Sequence, residues 1–303
     1  MITTPYDVDL VLYHGHCFDG FTAAWVAHLA RGDKAEYQEA HIGVSHPDVT
    51  GRRVAIIDFA YDRDTLLDMA NKATSLIVLD HHESNQRALE GLDFASFDMD
   101  RSGARMAFDW FAPLLRGAHA EAEIMTRYVQ DRDLWQWKLP NSREISAALG
   151  LHDFDFEKWS GFASCLLNEH EVIVETGYTI LRVQKRHVDL LARDATLVKI
   201  HGQPAWICNA PRFYASELGN LLVERDGPGV AAVWYYEHRP ETDGVGPDRI
   251  RVSLRSSKAS GVNVSTLAEQ YGGGGHCHAA GFEVFCSENI GGKHTFIDAD
   301  EDA

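Results

Sequence analysis

The sequence of 303 residues predicts an α/β fold in two parts. A doubly wound, mainly parallel sheet comes first, and a long helix joins it to a smaller mixed-sheet α/β domain. Three observations predict this arrangement: apolar strands alternate with helical patterns in the first third, one long amphipathic pattern follows, and the remainder is strand-rich. We expect domains at 1–170 and 195–303, with 171–194 as the linker helix.

The first domain is predicted from near-continuous apolar strands, which are typical of a parallel sheet covered on both faces. The predicted strands are VDLVLYH (8–14), RVAIIDFA (53–60), SLIVLDHH (75–82) and DFASFD (93–98). The predicted helices are GFTAAWVAHLA (20–30), RDTLLDMANKA (63–73), SGARMAFDWFAPLL (102–115) and residues 121–131. Ser102 is well placed to cap the third of these helices.

The linker helix is predicted from EVIVETGYTILRVQKRHVDLLARD (171–194), which has acidic residues near its start and basic residues later, as the helix dipole prefers. The strands predicted after it are ATLVKIHG (195–202), QPAWICNA (203–210), GVAAVWYYEH (229–238) and RIRVSLRS (249–256). The chain ends in an acidic tail, FIDADEDA, which we expect to be solvated.

Charge and composition exclude several function classes. The formal net charge of -17 does not suit a protein that coats long nucleic acid, because phosphate contacts need clustered Lys and Arg. No apolar run is long enough to span a membrane, and the start of the chain lacks a signal peptide. The five cysteines form no CxxC pair. We therefore expect a cytoplasmic protein with reduced cysteines.

Metal-capable side chains follow three predicted strands of the first domain. They are His14, Cys17 and Asp19 after the first strand, Asp58 after the second, and Asp80, His81 and His82 after the third. Since ligands bind beyond the carboxyl ends of parallel strands, these groups are expected to meet in one crevice. Asp and His together suit Mn²⁺, Zn²⁺ or Fe²⁺, and crowded carboxylates repel one another unless cations share them.

Simpler explanations exist for each feature alone. A single Asp at a strand end is more often a turn or cap residue, and His28, His41 and His119 are interpreted as surface or core residues. The segment GGGGHCHAAG (272–281) is either a glycine turn or a loop whose backbone N–H groups bind an anion beside His276. A zinc site within HCH (276–278) is disfavoured, because adjacent residues rarely chelate one ion well.

Five segments together resemble a known family. YHGHCFDGFTAAW, IIDFAYD, VLDHHES and YVQDRDLW are similar, in order, to the four motifs of the DHH phosphoesterases, and GGGGHCHAAGF is similar to the GGGH motif of the DHH-associated domain. NAPRFYASELGNLL (209–222) also resembles that second domain. The family includes oligoribonucleases, phosphatases of pAp-type nucleotides, cyclic-dinucleotide phosphodiesterases, single-strand exonucleases, and related pyrophosphatases and exopolyphosphatases.

The resemblance implies roles for individual residues. The positions that match metal ligands are His14, Asp19, Asp58, His81 and Asp131, and Asp58 matches the carboxylate that bridges two metals. His82 matches a catalytic residue that faces the substrate phosphate, and Asp80 is interpreted as orienting the histidines. Asp133 is considered a weaker candidate than Asp131. The positions that match the substrate-phosphate side are Arg255, Gly273, Gly274, Gly275 and His276.

Cys17 departs from the commoner family pattern, which has an Asp at this position. The HxxCxDG form is typical of a subfamily. Cys17 is therefore either a soft metal ligand or a neutral thiol that leaves the first metal loosely held.

The resemblance implies a metal-dependent phosphohydrolase that uses one or two Mn²⁺ ions. We expect it to cleave a phosphodiester or phosphomonoester bond in a small phosphorylated substrate or short oligonucleotide, such as nanoRNA, pAp, or a linear or cyclic dinucleotide. The alternatives are an inorganic pyrophosphate or polyphosphate hydrolase, and a non-catalytic nucleotide-binding sensor. We expect neither long duplex nucleic acid nor a membrane as partner, and a homodimer is left open.

Overall fold

The computed structural model describes residues 2–41, 43–237 and 249–285. The chain divides into two compact units after Arg182, within the helix α8 (His170–Leu191). The first unit contains a parallel sheet and the second a mixed sheet, which confirms the predicted α/β fold class. The domain limits at residues 170 and 194 stay a prediction.

The sheet of the first unit has five parallel strands in the order β2-β1-β3-β4-β5. Its strands are β1 (Leu10–His14), β2 (Glu36–Ala40), β3 (Arg53–Ile57), β4 (Ser75–Asp80) and β5 (Ala95–Phe97). This order is that of a doubly wound sheet, in which the chain adds β2 on one side of β1 and then β3, β4 and β5 on the other. This change of side creates a crevice at the carboxyl ends of β1 and β3.

Helices cover both faces of this sheet. They are α1 (Phe18–Arg31), α2 (Arg63–Lys72), α3 (Glu83–Ala88), α4 (Gly103–Phe111), α5 (His119–Asp133), α6 (Ser142–Leu149) and α7 (Phe156–Asn168). Alternate residues of a strand point to opposite faces. Val11 therefore joins the core that α1, α4, α5 and α7 complete, whereas Leu12 joins a separate core with Leu66 and Met69 of α2.

The helix cap at Ser102 agrees with the sequence prediction, whereas the edge strand β2 does not appear in it. Ser102 caps α4, since its Oγ accepts a hydrogen bond from the backbone N–H of Arg105 at 3.3 Å. Strand β2 was not predicted, because its sequence EYQEA is polar and lies at the edge of the sheet. An edge strand lacks the apolar run that identified β1, β3 and β4.

The second unit contains a six-stranded sheet in the order β10-β11-β9-β8-β7-β6. Its strands are β6 (Thr196–Ile200), β7 (Gln203–Asn209), β8 (Val230–Glu237), β9 (Arg249–Ser256), β10 (Gly274–His276) and β11 (Ala279–Phe285), and its helices are α9 (Ala215–Val223) and α10 (Val264–Glu269). Only β7 and β8 pair in parallel among the described strands of this sheet. The acidic tail and Cys286 lie outside the described residues.

Within the described ranges, every helix falls short of the length or the apolarity that crossing a membrane requires.

Candidate metal centre

The carboxyl ends of β1, β3 and β4 meet at the edge of the first sheet. His14 is the last residue of β1, Asp58 follows β3 directly, and Asp80 is the last residue of β4. Strand register keeps these ends level, because Tyr13 pairs with Ile57 and Ile57 pairs with Leu79. The fold therefore gathers the strand-end residues at the crevice between β1 and β3, as the sequence predicts.

His81 is the centre of a group of three carboxylates, of which Asp19 and Asp58 are buried and Asp133 is partly exposed. Its Nε2 atom lies 3.0 Å from Asp58 Oδ1, 3.5 Å from Asp19 Oδ2 and 3.6 Å from Asp133 Oδ2. His14 Nδ1 approaches Asp58 from the other side, 3.4 Å from Oδ2. Asp58 thus contacts two histidines, one with each carboxylate oxygen.

Asp58 has a backbone conformation that residues with a Cβ atom rarely adopt. Its φ is +60°, in the left-handed region, which Asp tolerates better than most residues. Gly103, the first residue of α4, makes room for it, because a Cβ atom at position 103 would lie 2.4 Å from the Cβ of Asp58. An unfavourable backbone conformation held by close packing is typical of functional sites.

Asp19 is held by the amino end of α4. Its two carboxylate oxygens accept hydrogen bonds from the backbone N–H groups of Gly103 at 2.6 Å and Ala104 at 3.0 Å. The unpaired N–H groups and the dipole of a helix amino end favour a negative charge there. One turn of α4 therefore fixes the Asp19 carboxylate and admits Asp58.

Asp80 orients His82. The Oδ1 atom of Asp80 accepts hydrogen bonds from His82 Nδ1 at 2.7 Å and from the backbone N–H of His81 at 2.8 Å, and its Oδ2 atom accepts one from Asn85 at 2.6 Å. The side chain of Asp80 is fully buried. Although burial raises its pKa, the charge of His82 and the hydrogen bond that His82 donates lower it below the usual range. Asn85 was not singled out in the sequence.

The charges of the group are strongly coupled. Burial opposes ionisation of Asp58, yet its contacts with His14 and His81 hold its pKa well below the usual range. Burial and the charge of Asp58 raise the pKa values of Asp19 and Asp133. Burial lowers the pKa of His81, but Asp58, Asp133 and Asp19 outweigh it and raise that pKa well above the usual range. Without a metal ion, a proton on His81 would offset part of the negative charge, and a bound cation would take the place of that proton.

Asp131 does not lie with this group. Its two oxygens accept hydrogen bonds from the backbone N–H groups of Lys138 at 2.9 Å and Leu139 at 3.2 Å, so that it stabilises the turn after α5. Asp133 lies beside His81 instead. The preference for Asp131 over Asp133 as a metal ligand is therefore corrected. The two residues lie about half a turn apart on α5, so the way this helix ends decides which of them faces the strand ends.

Cys17 is the N-terminal flanking residue of α1 and is partly exposed. Burial of the thiol, followed by the charges of Asp58 and Asp133, raises its pKa well above the usual range. In the absence of a cation, this direction favours the protonated, neutral thiol. Among the described residues, Cys17 belongs to none of the close groups of potential metal ligands.

The donor set fits a divalent transition metal. Asp58 Oδ2 and Asp133 Oδ2 are buried and accept no hydrogen bond from any residue that the structure describes. Burying an unsatisfied carboxylate oxygen is costly, and a cation would remove that cost. Of the groups whose donor atoms lie within 4.8 Å of one another, two combine aspartate with histidine, namely Asp19 with Asp58 and His81, and His14 with Asp58 and His82. They share Asp58, the residue expected to bridge.

The predicted substrate residues lie in the second unit. The guanidinium group of Arg255 donates hydrogen bonds to Ser216 Oγ at 2.9 Å, Ser253 Oγ at 3.0 Å and the Leu254 carbonyl at 2.8 Å. Gly219 lets its stem pack closely, since a Cβ atom at position 219 would lie 2.9 Å from Arg255 Cγ. Arg255 is thus held in a fixed position against α9.

The glycine-rich segment 272–281, predicted as a turn or loop, contains the short strand β10, a turn at residues 277–278 and the start of β11. Gly274–His276 form β10, which pairs with β11. A Cβ atom at Gly273 would lie 2.2 Å from the Gly281 carbonyl oxygen, and Gly275 has φ +140°. Close packing and backbone conformation therefore require glycine at positions 273 and 275, independently of any role in anion binding.

No protein-family model matches the chain. Among curated proteins, an uncharacterized protein, R106, of Acanthamoeba polyphaga mimivirus is 28% identical over 300 residues, which cover 90% of this chain and 67% of the relative. Among solved structures, the DHH domain of a member of the s1p family of ribosomal proteins matches 93% of this chain and 84% of its own length, with a TM-score of 0.59 and 13% identity.

The chain has the fold of a DHH-domain protein. A pGpG-specific phosphodiesterase, PggH, from Vibrio cholerae covers 93% of this chain and 95% of its own, at a TM-score of 0.46 and 15% identity. Because this TM-score is below 0.5, nothing is inferred from the similarity to PggH. The DHH-type fold agrees with the position of the Asp80-His81-His82 segment at the end of β4.

Proposed function

We propose that this protein is a metal-dependent phosphoesterase of the DHH family. The observation that carries the proposal is the close group of Asp19, Asp58, Asp133 and His81, in which two buried carboxylate oxygens, Asp58 Oδ2 and Asp133 Oδ2, lie 3.4 and 3.6 Å from histidine nitrogens but accept no hydrogen bond within the described chain. A protein gains no stability from such crowded carboxylates unless a cation joins them. The fold similarity and the five sequence segments support the same assignment.

The residues that would hold one or two Mn²⁺ ions are His14, Asp19, Asp58, His81 and Asp133, with Asp58 shared between the ions. Bound divalent cations would polarise the phosphoryl oxygens of the substrate and stabilise the charge that develops on them. Asp133 takes the place in this set that the family resemblance assigned to Asp131. Cys17, as a neutral thiol, contributes no negative charge.

His82 is the proposed proton donor. Its Nδ1–H points to the buried carboxylate of Asp80, and this hydrogen bond fixes the ring orientation. Nε2 is then the nitrogen that would donate a proton to the leaving oxygen of the substrate. Asp80 positions His82 and does not itself reach the substrate.

The proposed substrate is a short nucleotide or oligonucleotide, such as nanoRNA, pAp or a linear or cyclic dinucleotide. Arg255, Gly273, Gly274, Gly275 and His276 would bind its phosphate or base. The hydrogen bonds that fix the planar guanidinium group of Arg255 support this role, because a preoriented guanidinium suits phosphate. Hydrolysis of inorganic pyrophosphate or polyphosphate is the alternative, and nucleotide sensing without turnover is a third possibility. We also propose a cytoplasmic location.

The decisive experiment measures Mn²⁺-dependent hydrolysis of pAp, a linear dinucleotide and inorganic pyrophosphate by wild type and by Asp58→Asn and Asp133→Asn. Each variant should lose at least about 100-fold in rate, or about 2.7 kcal/mol of barrier. Asp98→Asn is the matched control, since Asp98 also follows a strand at this sheet edge but is exposed. Activity of Asp58→Asn within about tenfold of wild type would exclude the proposed centre.

A further inference from the structure

A second group of metal-capable side chains lies beside the carboxyl ends of β1 and β2. His16, Glu39 and His41 have donor atoms within 4.8 Å of one another. His41 Nε2 lies 3.3 Å from Glu39 Oε2, and the rings of His16 and His41 have centroids 5.1 Å apart. No sequence pattern pairs these residues, and the sequence alone favours an ordinary surface or core role for His41.

The fold brings the two histidines together through strand pairing. His14 pairs with Ala40, and the backbone N–H of Gly15 continues the ladder by donating to the Ala40 carbonyl at 3.0 Å. His16 and His41 therefore follow directly after paired strand ends. Gly15 makes room for the second imidazole, because a Cβ atom at position 15 would lie 2.1 Å from His41 Cε1.

The backbone at His16 is also unusual. Its φ is +55°, a left-handed conformation that costs roughly 1–2 kcal/mol for a residue with a Cβ atom. The conformation turns the chain sharply between His14, which faces Asp58, and the start of α1 at Phe18. His14 and His16 thus serve two different groups of ligands on either side of Gly15.

The chemistry of this group differs from that of the central one. Two imidazoles and one carboxylate are a ligand set of zinc-class cations, which accept nitrogen readily, and three protein ligands leave a position open for water or another ligand. Glu39 and His41 have 34% and 25% of their side chains exposed, so that a cation could enter from solvent. The central group is richer in buried carboxylate, which suits a harder cation.

We propose that His16, Glu39 and His41 form a separate binding site for a divalent transition-metal cation of the zinc class. The site shares no residue with the central group formed by His14, Asp19, Asp58, His81 and Asp133. It does not depend on the proposed phosphoesterase activity, and it would hold a cation at the same sheet edge.

The test is a titration with Co²⁺, a visible-absorbing substitute for Zn²⁺, in the Asp58→Asn background, where the central group is impaired. We expect about one Co²⁺ per chain with d–d absorption bands, which Zn²⁺ displaces. His16→Asn keeps a residue that tolerates positive φ and removes the imidazole. This change and His41→Gln should each weaken Co²⁺ binding by at least about tenfold, or about 1.4 kcal/mol.

His119→Gln is the matched control, because His119 lies 4.0 Å from Glu123 without a second histidine among the ligand groups of the described residues. It should leave the Co²⁺ affinity unchanged. If Asp58→Asn does not fold by circular dichroism, the same variants in wild type should lower the Co²⁺ stoichiometry by about one per chain. Unchanged affinity and stoichiometry in the His16→Asn/His41→Gln double variant would overturn the proposal, whatever the outcome of the hydrolysis assays.

Discussion

At the scale of single residues, Asp58 combines features that are each unfavourable alone. It is buried, its backbone is left-handed, and it contacts His14 and His81 at once. Strand β3 can end in this way only because Gly103 has no side chain. A residue under so many constraints is better explained by a ligand than by stability, because a buried carboxylate in an unfavourable backbone conformation costs free energy.

Cys17→Asp tests whether the thiol leaves the proposed centre short of negative charge. We expect the Mn²⁺ concentration for half-maximal activity to fall by about tenfold, because a hard carboxylate replaces a neutral thiol. In the absence of metal the same variant should melt at a lower temperature, since it adds a carboxylate beside Asp19, Asp58 and Asp133.

Cys17→Ser, which stays neutral, is the control and should behave as wild type. Elemental analysis after dialysis provides a second check. Two ions retained by the wild type, or an unchanged Mn²⁺ dependence in Cys17→Asp, would mean that Cys17 is a true ligand or a packing residue.

Asp9 provides a pH-dependent prediction away from the centre. Burial raises its pKa, but hydrogen bonds from the Arg53 backbone and from the guanidinium groups of Arg52 and Arg53, each at 3.0 Å, lower it below the usual value. The pKa is thus lower in the folded than in the unfolded chain. The resulting stability is present above the unfolded pKa of about 3.9 and is lost as the pH falls through the folded pKa.

Asp9→Asn should therefore lower the free energy of unfolding by about 1 kcal/mol at pH 7. The difference from wild type should be the same at pH 5 and should shrink at about pH 3.5. Urea denaturation at the three pH values measures it. A difference that is independent of pH would show that packing, and not the charge of Asp9, stabilises the contact.

The sequence predicted much of the centre at this scale. The strand-end positions of His14, Asp58 and His81 follow from the parallel sheet, and the structure brings Asp19 to them. The choice between Asp131 and Asp133 depended on how α5 ends, which no local pattern encodes. Gly103 and Asn85 support the centre from other elements, and only the folded chain shows their contacts.

At the scale of elements, the sequence predicts the apolar strands and the amphipathic helices. It does not predict the polar strand β2 or the glycine-rich strand β10. Strand β2 is held as an edge by pairing with β1, and Arg52 also bonds Glu36 at 3.2 Å. Strand β10 consists of two glycines and a histidine whose pairing with β11 overrides their weak strand propensity. Long-range pairing decides such segments.

Two glycines inside helices predict opposite outcomes for the same substitution. Gly177 in α8 packs against α6, and a Cβ atom there would lie 1.8 Å from the Glu144 carbonyl oxygen. Gly177→Ala should lower the free energy of unfolding by about 1–3 kcal/mol. Gly161 in α7 has open space around it, so Gly161→Ala should raise that free energy by about 0.5–1 kcal/mol.

Urea denaturation of the two variants compares them directly. Equal effects of the two substitutions would contradict the close contact between α6 and α8. A stabilised Gly161→Ala with a destabilised Gly177→Ala is the expected pair of results.

At the scale of the whole molecule, the formal net charge is -17. Repulsion among the carboxylates gathered at one sheet edge therefore lowers the stability of the folded chain when no cation is bound. A ligand that binds only the folded chain stabilises it by mass action. Saturating Mn²⁺, at about 100 times its dissociation constant, should raise the melting temperature by roughly 5–10 °C. A chelator should reverse the rise.

Asp58→Asn is the control for this measurement and should show little response to Mn²⁺. Identical melting curves of the wild type with Mn²⁺ and with chelator would argue against a cation in the carboxylate group. The response should persist in moderate salt, because buried charges are screened much less than exposed ones.

The parallel direction of the five strands has a practical consequence for handling the protein. Every residue of the proposed centre that comes from a strand end lies at the carboxyl edge, so the connections at the opposite edge are open to attachment. Lys34 precedes β2 at this opposite edge and is exposed. A fluorophore or surface tether placed there would be carried by the sheet while leaving the edge with the proposed centre open to solution.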